Sequence, residues 1–318
     1  MDIDRIRRRV RLRDLETLAA VVQAGGMRKA SHALHLSPAA VSKAVGELEL
    51  TLGLPLLERG RRGVTPTPFG EALVRRSKTL TDELQGALHE LAAIAEPGTG
   101  EVRLGSMETL QAGLVAAAIK EHLREHPGVH FTVEFAHASH LIDHFLKERL
   151  VDFVIARPLS LPLPPGVDGE ALFRDRLRVV VGLQHPLARR RRLDLADLMD
   201  ETWILSPNEV RAESPVVEAL TAQRLALPKR LVIGGSLQMR HHLLSDGRYV
   251  TVVPHSLLPF AQMRSVFRVL PIQLPLWRTA TMILTLRGRS LGPGVLAFLA
   301  RLRGLARPLR SEAAHRAA

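Results

Sequence analysis

Residues 37–53 read S-P-A-A-V-S-K-A-V-G-E-L-E-L-T-L-G. Ser37 is a good N-cap, and Pro38 suits the first helical position, where a missing N–H costs nothing. Ala40, Val41, Ala44, Val45, Leu48 and Leu52 then recur at helical spacing and make one apolar stripe. Gly53 ends the helix as a C′ residue. The opposite face carries only small or donor side chains near its start: Ala39, Ser42 and Lys43, with Gly46 one turn later. A face kept this small suits either close helix packing or entry into a major groove, where free N–H groups and the helix dipole also favour phosphate.

The flanks extend this reading. Leu12, Leu15, Leu18 and Val22 predict a helix that stops at Gly25-Gly26, and residues 28–36 predict a second, with Ala30, Ala33 and Leu34 inward. Three short helices in this order form a helix-turn-helix unit. Beyond Gly53, two strand-like segments surround Arg59-Gly60-Arg61-Arg62-Gly63, a basic hairpin suited to lying along a phosphate backbone as a wing. Thr67 then caps a new helix with Pro68 at its first position. Candidate DNA contacts are Ser37, Pro38, Ala39, Ser42, Lys43, Arg59, Arg61, Arg62 and Thr65. Residues 2–13 are strongly basic and read either as a frayed tail or as a flexible arm on phosphates.

The run from Leu15 to Gly70 resembles the N-terminal domain of LysR-type transcriptional regulators. The carriers are Ala30 and Leu34, the S-x-x-A-V-S-K-x-V-x-x-L-E run of residues 37–49, L-G-L-P-L-L-E-R of residues 52–59, and the closing T-P-T-P-F-G. Arg28 stands where the family usually has a capping Ser or Thr, and Leu18 and Leu57 stand where it often has aromatics. From Pro68 to Ala95 the leucines Leu73, Leu80, Leu84, Leu88 and Leu91 predict a helix ~40 Å long whose seam asks for another helix. The resemblance implies a linker helix paired antiparallel with its twin in a dimer or tetramer; packing against its own chain is the other reading. Two reading helices would then meet a near-palindromic operator on double-stranded DNA, one turn apart.

The chain has 318 residues, no cysteine and a net charge of +12. The absence of cysteine excludes a disulfide framework and thiolate chemistry. The charge suggests a polyanionic partner without locating it, since much of the surplus lies beyond residue 98. No apolar run nears the ~20 residues of a membrane span, and the N-terminal arginines precede no apolar stretch, so a cytoplasmic protein without a membrane partner is expected.

After an expected hinge at 97–101, strands and helices alternate, which predicts parallel sheets covered by helices. A break near 158–174 and a return after about 267 predict two lobes. The fold class expected is thus α+β multidomain: a winged helix-turn-helix (1–67), a linker helix (68–96), and a two-lobed α/β effector domain (102–310), periplasmic-binding-protein-like of type 2 by the resemblance. Lobe I is expected at 102–170 and 267–310, lobe II at 171–266, and a tail at 311–318, with disorder from Arg307 onward.

In open α/β sheets a ligand sits beyond the strand ends, against helix N-termini. Candidate effector contacts are Ser106, Glu108, Thr109, Ser139, Arg157 and Ser236. By position Thr109 and Ser139 match effector-contacting hydroxyls of the family, though each is equally an ordinary N-cap. Glu108 either complements a helix dipole or faces the cleft, where it would favour a neutral, polyhydroxy or cationic effector. His137, His140 and His144 read as a solvated, pH-sensitive face rather than a metal site, and Arg189–Arg192 as a solvated turn. No catalytic or nucleotide-binding motif occurs. The function expected is a sequence-specific DNA-binding regulator, not an enzyme, with no cofactor beyond a small-molecule effector and with RNA polymerase as a further partner. Effector would close the lobes, rotate the linker helices and alter the DNA bend. The alternative is a two-lobed solute-binding protein or enzyme without a regulatory role; a milder one is an architectural DNA binder that ignores small molecules.

Overall fold

The structure, a computed structural model, describes residues 2–60, 63–96, 98–234, 236–260 and 266–314. The chain divides into two units, Met1–Leu91 and Ala92–Ala318.

The first unit contains helices α1 (Ile3–Arg7), α2 (Leu12–Ala24), α3 (Met27–Ala33) and α4 (Pro38–Leu52), a hairpin of β1 (Leu57–Gly60) and β2 (Gly63–Pro66), and most of α5 (Pro68–Ala95). Ser37 Oγ accepts from the Ala40 N–H at 3.1 Å, and Gly53 closes α4 in the left-handed region at φ +67°. Val41, Val45 and Leu48 are buried against Leu15, Leu18, Val21 and Ala30. Ala40, expected in the stripe, is exposed. Helix α3 ends one turn earlier than expected, and its N-cap is Gly26, which has no side chain to cap with; Arg28 is the second residue of the helix. Residues 3–7 form a helical turn capped by Asp2, so the basic N-terminal stretch is in part ordered. Gly70 is required by close approach: a Cβ there would lie 2.1 Å from the Leu56 carbonyl oxygen.

On α5, Leu80, Leu84, Leu88 and Leu91 are 53, 46, 55 and 63% exposed. Such a stripe of leucines is an unburied seam, the signature of a helix awaiting a partner.

The second unit holds two five-stranded sheets. The first has the order β4 (Gly128–Phe135), β3 (Thr99–Ser106), β5 (Phe153–Ala156), β12 (Thr281–Leu286), β6 (Val167–Phe173). The other has the order β11 (Phe267–Leu276), β7 (Arg176–Gly182), β10 (Tyr249–Pro254), β8 (Thr202–Leu205), β9 (Arg230–Ile233). Both are mixed, not parallel: β3 is parallel to β4 and β5, and β8 to β9 and β10, whereas β12, β7 and β11 pair antiparallel. Two apolar clusters flank the first sheet and two the second, as expected for sheets covered on both faces.

Several boundaries differ from expectation. Strand β3 begins at Thr99, inside the stretch read as a hinge. Residues 267–276 belong to the sheet of lobe II, so the chain re-enters lobe I only after about residue 277, not at 267, and β6 carries lobe I through Phe173. Both misread strands lie at sheet edges, where polar residues (Asp168, Glu170) and prolines (Pro271, Pro275) are tolerated because one side needs no ladder bonds. The terminal helix α10 spans Pro293–Ala314, so the expected disorder from Arg307 gives way to helix: Leu302, Ala306 and Leu309 are buried against the first sheet's core.

Two connectors join the lobes, 174–175 and 277–280, and they are bonded to each other. Trp277 N–H donates to the Asp175 carbonyl at 3.1 Å, and Arg174 donates to the carbonyls of Trp277 and Arg278.

Candidate nucleic-acid interface and effector cleft

The open end of α4 presents Ser37, Pro38 and Ala39 exposed, with Ser42 half-buried. Lys43 is exposed and its Nζ lies 3.7 Å from Glu47, one turn on. Such an exposed pair contributes only ~0.3–0.5 kcal/mol, so a phosphate or base edge displaces Glu47 readily. Ser37 spends its hydroxyl on capping, which leaves the free N–H groups of the first turn facing outward.

Glu49 has a role that its sequence setting does not reveal. Its Oε1 accepts from the N–H groups of Leu56 and Leu57 at 2.7 and 3.1 Å, which ties α4 to the wing. The wing is fixed on its other side by Val64 N–H donating to the Gly25 carbonyl at 3.2 Å. Thr65 is exposed on β2 beside this bond, and Arg59 lies on β1 opposite Val64. Arg61 and Arg62 lie outside the described residues.

Between the lobes of the second unit lies a cavity of about 480 Å³. Lobe I contributes Met107, Glu108 and Thr109 at the start of helix α6 (residues 108–125), and His137 and His140 at the start of α7 (residues 138–146). Arg157, directly after β5, completes that side. Both helices contain a π turn, Gln111–Val115 and Leu141–Leu146, close behind their cleft-facing ends. Helix α7 therefore stops at Leu146, short of the expected Leu150. Lobe II, whose helices are α8 (Pro215–Ala222) and α9 (Leu237–Ser245), adds Leu177, Asn208, Glu209, Arg240 at the fourth position of α9, Val252 and Trp277.

Of the expected contacts, Glu108, Thr109 and Arg157 line the cavity and the other three do not. Ser106 is fully buried on β3 and donates to the Met107 carbonyl. Ser139 is exposed but turned from the cavity, and Ser236 caps α9 through the Met239 N–H at 3.2 Å. An N-cap hydroxyl bends back over its own first turn, which aims it away from a ligand. Glu108 crosses the cleft: its carboxylate accepts from the Leu237 N–H at 3.0 Å, the first residue of the opposing helix.

The charges not anticipated from sequence form a buried network. Glu209 and Arg240, 11 and 8% exposed, pair at 2.8 Å, and Arg240 also donates to the Val252 carbonyl. Glu209 further accepts from the Ser206 N–H, and Asp175 accepts from Ser256 and from the Arg176 N–H. Arg157 is different. Its guanidinium lies 4.1 Å from the centre of the Trp277 ring and, among the described residues, has no hydrogen-bond or ion-pair partner. Burial pulls its pKa below the ordinary arginine value, against the opposing field of Asp175 and Glu209. Arg157 is thus a half-buried cation on the cavity wall without a carboxylate partner among the described residues. His140 stacks on His144 with ring centres 4.4 Å apart. Among the described residues no three acids, histidines or cysteines converge as metal ligands.

The comparisons agree with this geometry. Residues 12–71 match the family described as "Bacterial regulatory helix-turn-helix protein, lysR family", and residues 95–307 match "LysR substrate binding domain". The chain is 29% identical over 304 residues to the HTH-type transcriptional regulator GbpR of Azospirillum brasilense, covering 94% of this chain and 87% of that one. In fold it is similar to ArgP from Mycobacterium tuberculosis, with a TM-score of 0.67 at 19% identity over 93% of this chain and 97% of that one. It is also similar to full-length CbnR complexed with its target DNA, with a TM-score of 0.58 at 19% identity over 93% of this chain and all of that one. No helix among the described residues is long and apolar enough to cross a membrane. With one profile covering the DNA-reading unit and another covering most of the two-lobed unit, the chain belongs to the LysR family of DNA-binding transcriptional regulators, and the readings as an enzyme or a solute-binding protein fall away.

Proposed function

We propose that this regulator acts in the cytoplasm as a dimer or tetramer on a near-palindromic operator, contacts RNA polymerase there, and answers an amphipathic anion with a single carboxylate. The observation that carries the effector class is Arg157: a stacked, partner-free guanidinium in a cavity whose apolar walls are Met107, Phe135, Leu177, Leu237, Val252 and Trp277, with the charges of Glu209 and Arg240 paired to each other. Carboxylate and guanidinium match as a two-bond fork, and the apolar walls take the ligand's body. Glu108, at the mouth of α9, repels a second carboxylate, which favours monoanions over dianions. No further cofactor is needed, and closure of the lobes on the ligand would bias the linker helices and the bend imposed on DNA.

A thermal-shift screen of aromatic and aliphatic carboxylates tests this, because a ligand stabilises the state it binds. Monocarboxylates of fitting size should raise Tm, and Arg157→Met should abolish the shift. Arg157→Lys should not restore it, since an ammonium neither forks nor stacks as well. Thr109→Val should weaken binding by about 1–3 kcal/mol if its hydroxyl meets the ligand. In Glu108→Gln, dicarboxylates should gain affinity relative to monocarboxylates. An unchanged ligand response in Arg157→Met would remove the carboxylate reading.

On the DNA side, Lys43→Ala should cost about 1–3 kcal/mol on operator, with little change on unrelated duplex, if Lys43 reads a base edge. Loss spread evenly over all sequences, with the salt slope lower by about one, would assign it to phosphate instead. Undiminished binding to every duplex would exclude α4 as the reading element.

A further inference from the structure

Lobe II carries a second concavity, of about 590 Å³, whose wall includes Arg178, Arg189, Arg190, Arg191 and Arg268 and no acidic residue. Three of these arginines come from one turn and two from adjoining strands. The run follows the short helical turn Pro186–Arg189, which the His185 ring caps by accepting from the Leu187 N–H at 3.1 Å. Leu187 and Ala188 before the run and Leu193 after it are buried in the lobe II core. The backbone is thereby pinned on both sides while Arg189, Arg190 and Arg191 stay exposed. Arg268 enters from β11, whose pairing with β7 shifts register between Val269 and Gln273. That irregularity, with Pro271 inside it, forms the floor.

Arginine is common throughout this chain, so the cluster must be weighed against its surroundings. Several arginines elsewhere in the second unit meet carboxylates: Arg287 with Asp168, Arg289 with Asp152, Arg301 with Glu121 and Glu125, Arg303 with Glu170. Arg189, Arg190, Arg191 and Arg268 have no such partner among the described residues. The acids nearest in sequence are already engaged. Asp194 and Asp197 form a reciprocal cap on the turn Leu195–Leu198, with the Asp197 carboxylate accepting from the Asp194 N–H at 2.9 Å. Like charges held in one concavity repel, and a multiply charged anion relieves that repulsion more than a monoanion does.

We propose that this groove binds a small polyphosphate, a chain of about three or four phosphoryl groups, either inorganic or carried on a nucleoside. Guanidinium forks match phosphate oxygens two at a time, and successive phosphoryl groups would meet successive arginines. The volume falls in the range of small-ligand sites. A DNA backbone would call for an extended basic strip, whereas these cations are confined to one turn and the strands beside it.

The test is calorimetric titration of the full-length protein, saturated with operator DNA so that its reading face is occupied, using sodium tripolyphosphate as the probe. Binding is expected, weakening as salt is raised. The triple variant Arg189→Gln, Arg190→Gln, Arg191→Gln should weaken it at least about tenfold, and Arg268→Gln alone should weaken it several-fold, as for loss of charge-assisted bonds. A control with the same loss of charge elsewhere, Arg124→Gln, Arg224→Gln, Arg307→Gln, should bind as the parent does. Adenosine triphosphate in place of tripolyphosphate distinguishes the sources: tighter binding points to a nucleotide, equal binding to the bare chain. Equal weakening in the control, or full binding in the triple variant, overturns the site. So does a triple variant that loses operator affinity yet keeps tripolyphosphate, since the groove would then serve DNA.

Discussion

Leu84→Arg combined with Leu88→Arg is expected to yield a monomer whose operator affinity is lower by about 10²–10⁴-fold. Both side chains are roughly half exposed on α5, one turn apart, so the substitutions disturb no packed core in the single chain. They instead place two cations in a seam that a second helix must cover. A near-palindromic operator is held by two reading helices, and once one is bound the other sees a high local concentration of its half-site. Splitting the pair removes that gain without touching a single DNA contact. Sedimentation should give the mass of a single chain, half that of a dimeric parent or a quarter that of a tetrameric one, and affinity for an isolated half-site should be unchanged. A variant that remains dimeric would show that α5 is not the seam, and that its leucines are covered by something else.

Arg240→Met should destabilise the second unit by about 3–5 kcal/mol, because it leaves Glu209 charged and buried without its partner. The loss is therefore mostly the cost of the stranded acid rather than the worth of the pair. Pairing Arg240→Met with Glu209→Gln should recover a large part of it, since the amide needs no counter-ion. The two tryptophans, Trp203 and Trp277, both lie in this unit, so tryptophan fluorescence during urea unfolding reports on it alone. A single variant as stable as the double would mean that Glu209 finds another donor when Arg240 is gone.

The parts legible in the sequence were those governed by local chemistry. Ser37 with Pro38, the spacing of Val41, Val45 and Leu48, and Gly53 describe α4 within its own seventeen residues. The edge strands were not legible, because β6 lacks the alternating apolar pattern that marks a half-buried strand, and in β11 the alternation of Leu270, Ile272 and Leu274 is masked by Pro271 and Pro275. Their identity depends on neighbours far along the chain, and β11 even contains two prolines. The cleft divides the same way. Arg157 could be singled out because it directly follows a buried strand, the place where open sheets put ligands. Asp175 with Ser256, and Glu209 with Arg240, are separated by 81 and 31 residues, and no spacing rule joins them. The serines failed for separate reasons: Ser236 turns back to cap its own first turn, Ser106 is buried at the end of its strand, and Ser139 lies one residue inside a helix whose N-cap is His137.

The two bonded connectors between the lobes would separate how tightly an effector is held from how strongly it acts. Trp277 sits on one connector and is bonded to the other. A ligand resting against Arg157 and this ring bears directly on a connector. How far it shifts the lobes then depends on what its other end gains from the opposite lobe, since a ligand with equal affinity for both states shifts no equilibrium. The contact between Glu108 and Leu237 joins one lobe to the other and exists only when they meet. Variants at Trp277 should change the concentration at which the regulator responds, and variants at the Glu108 contact should change how far it responds.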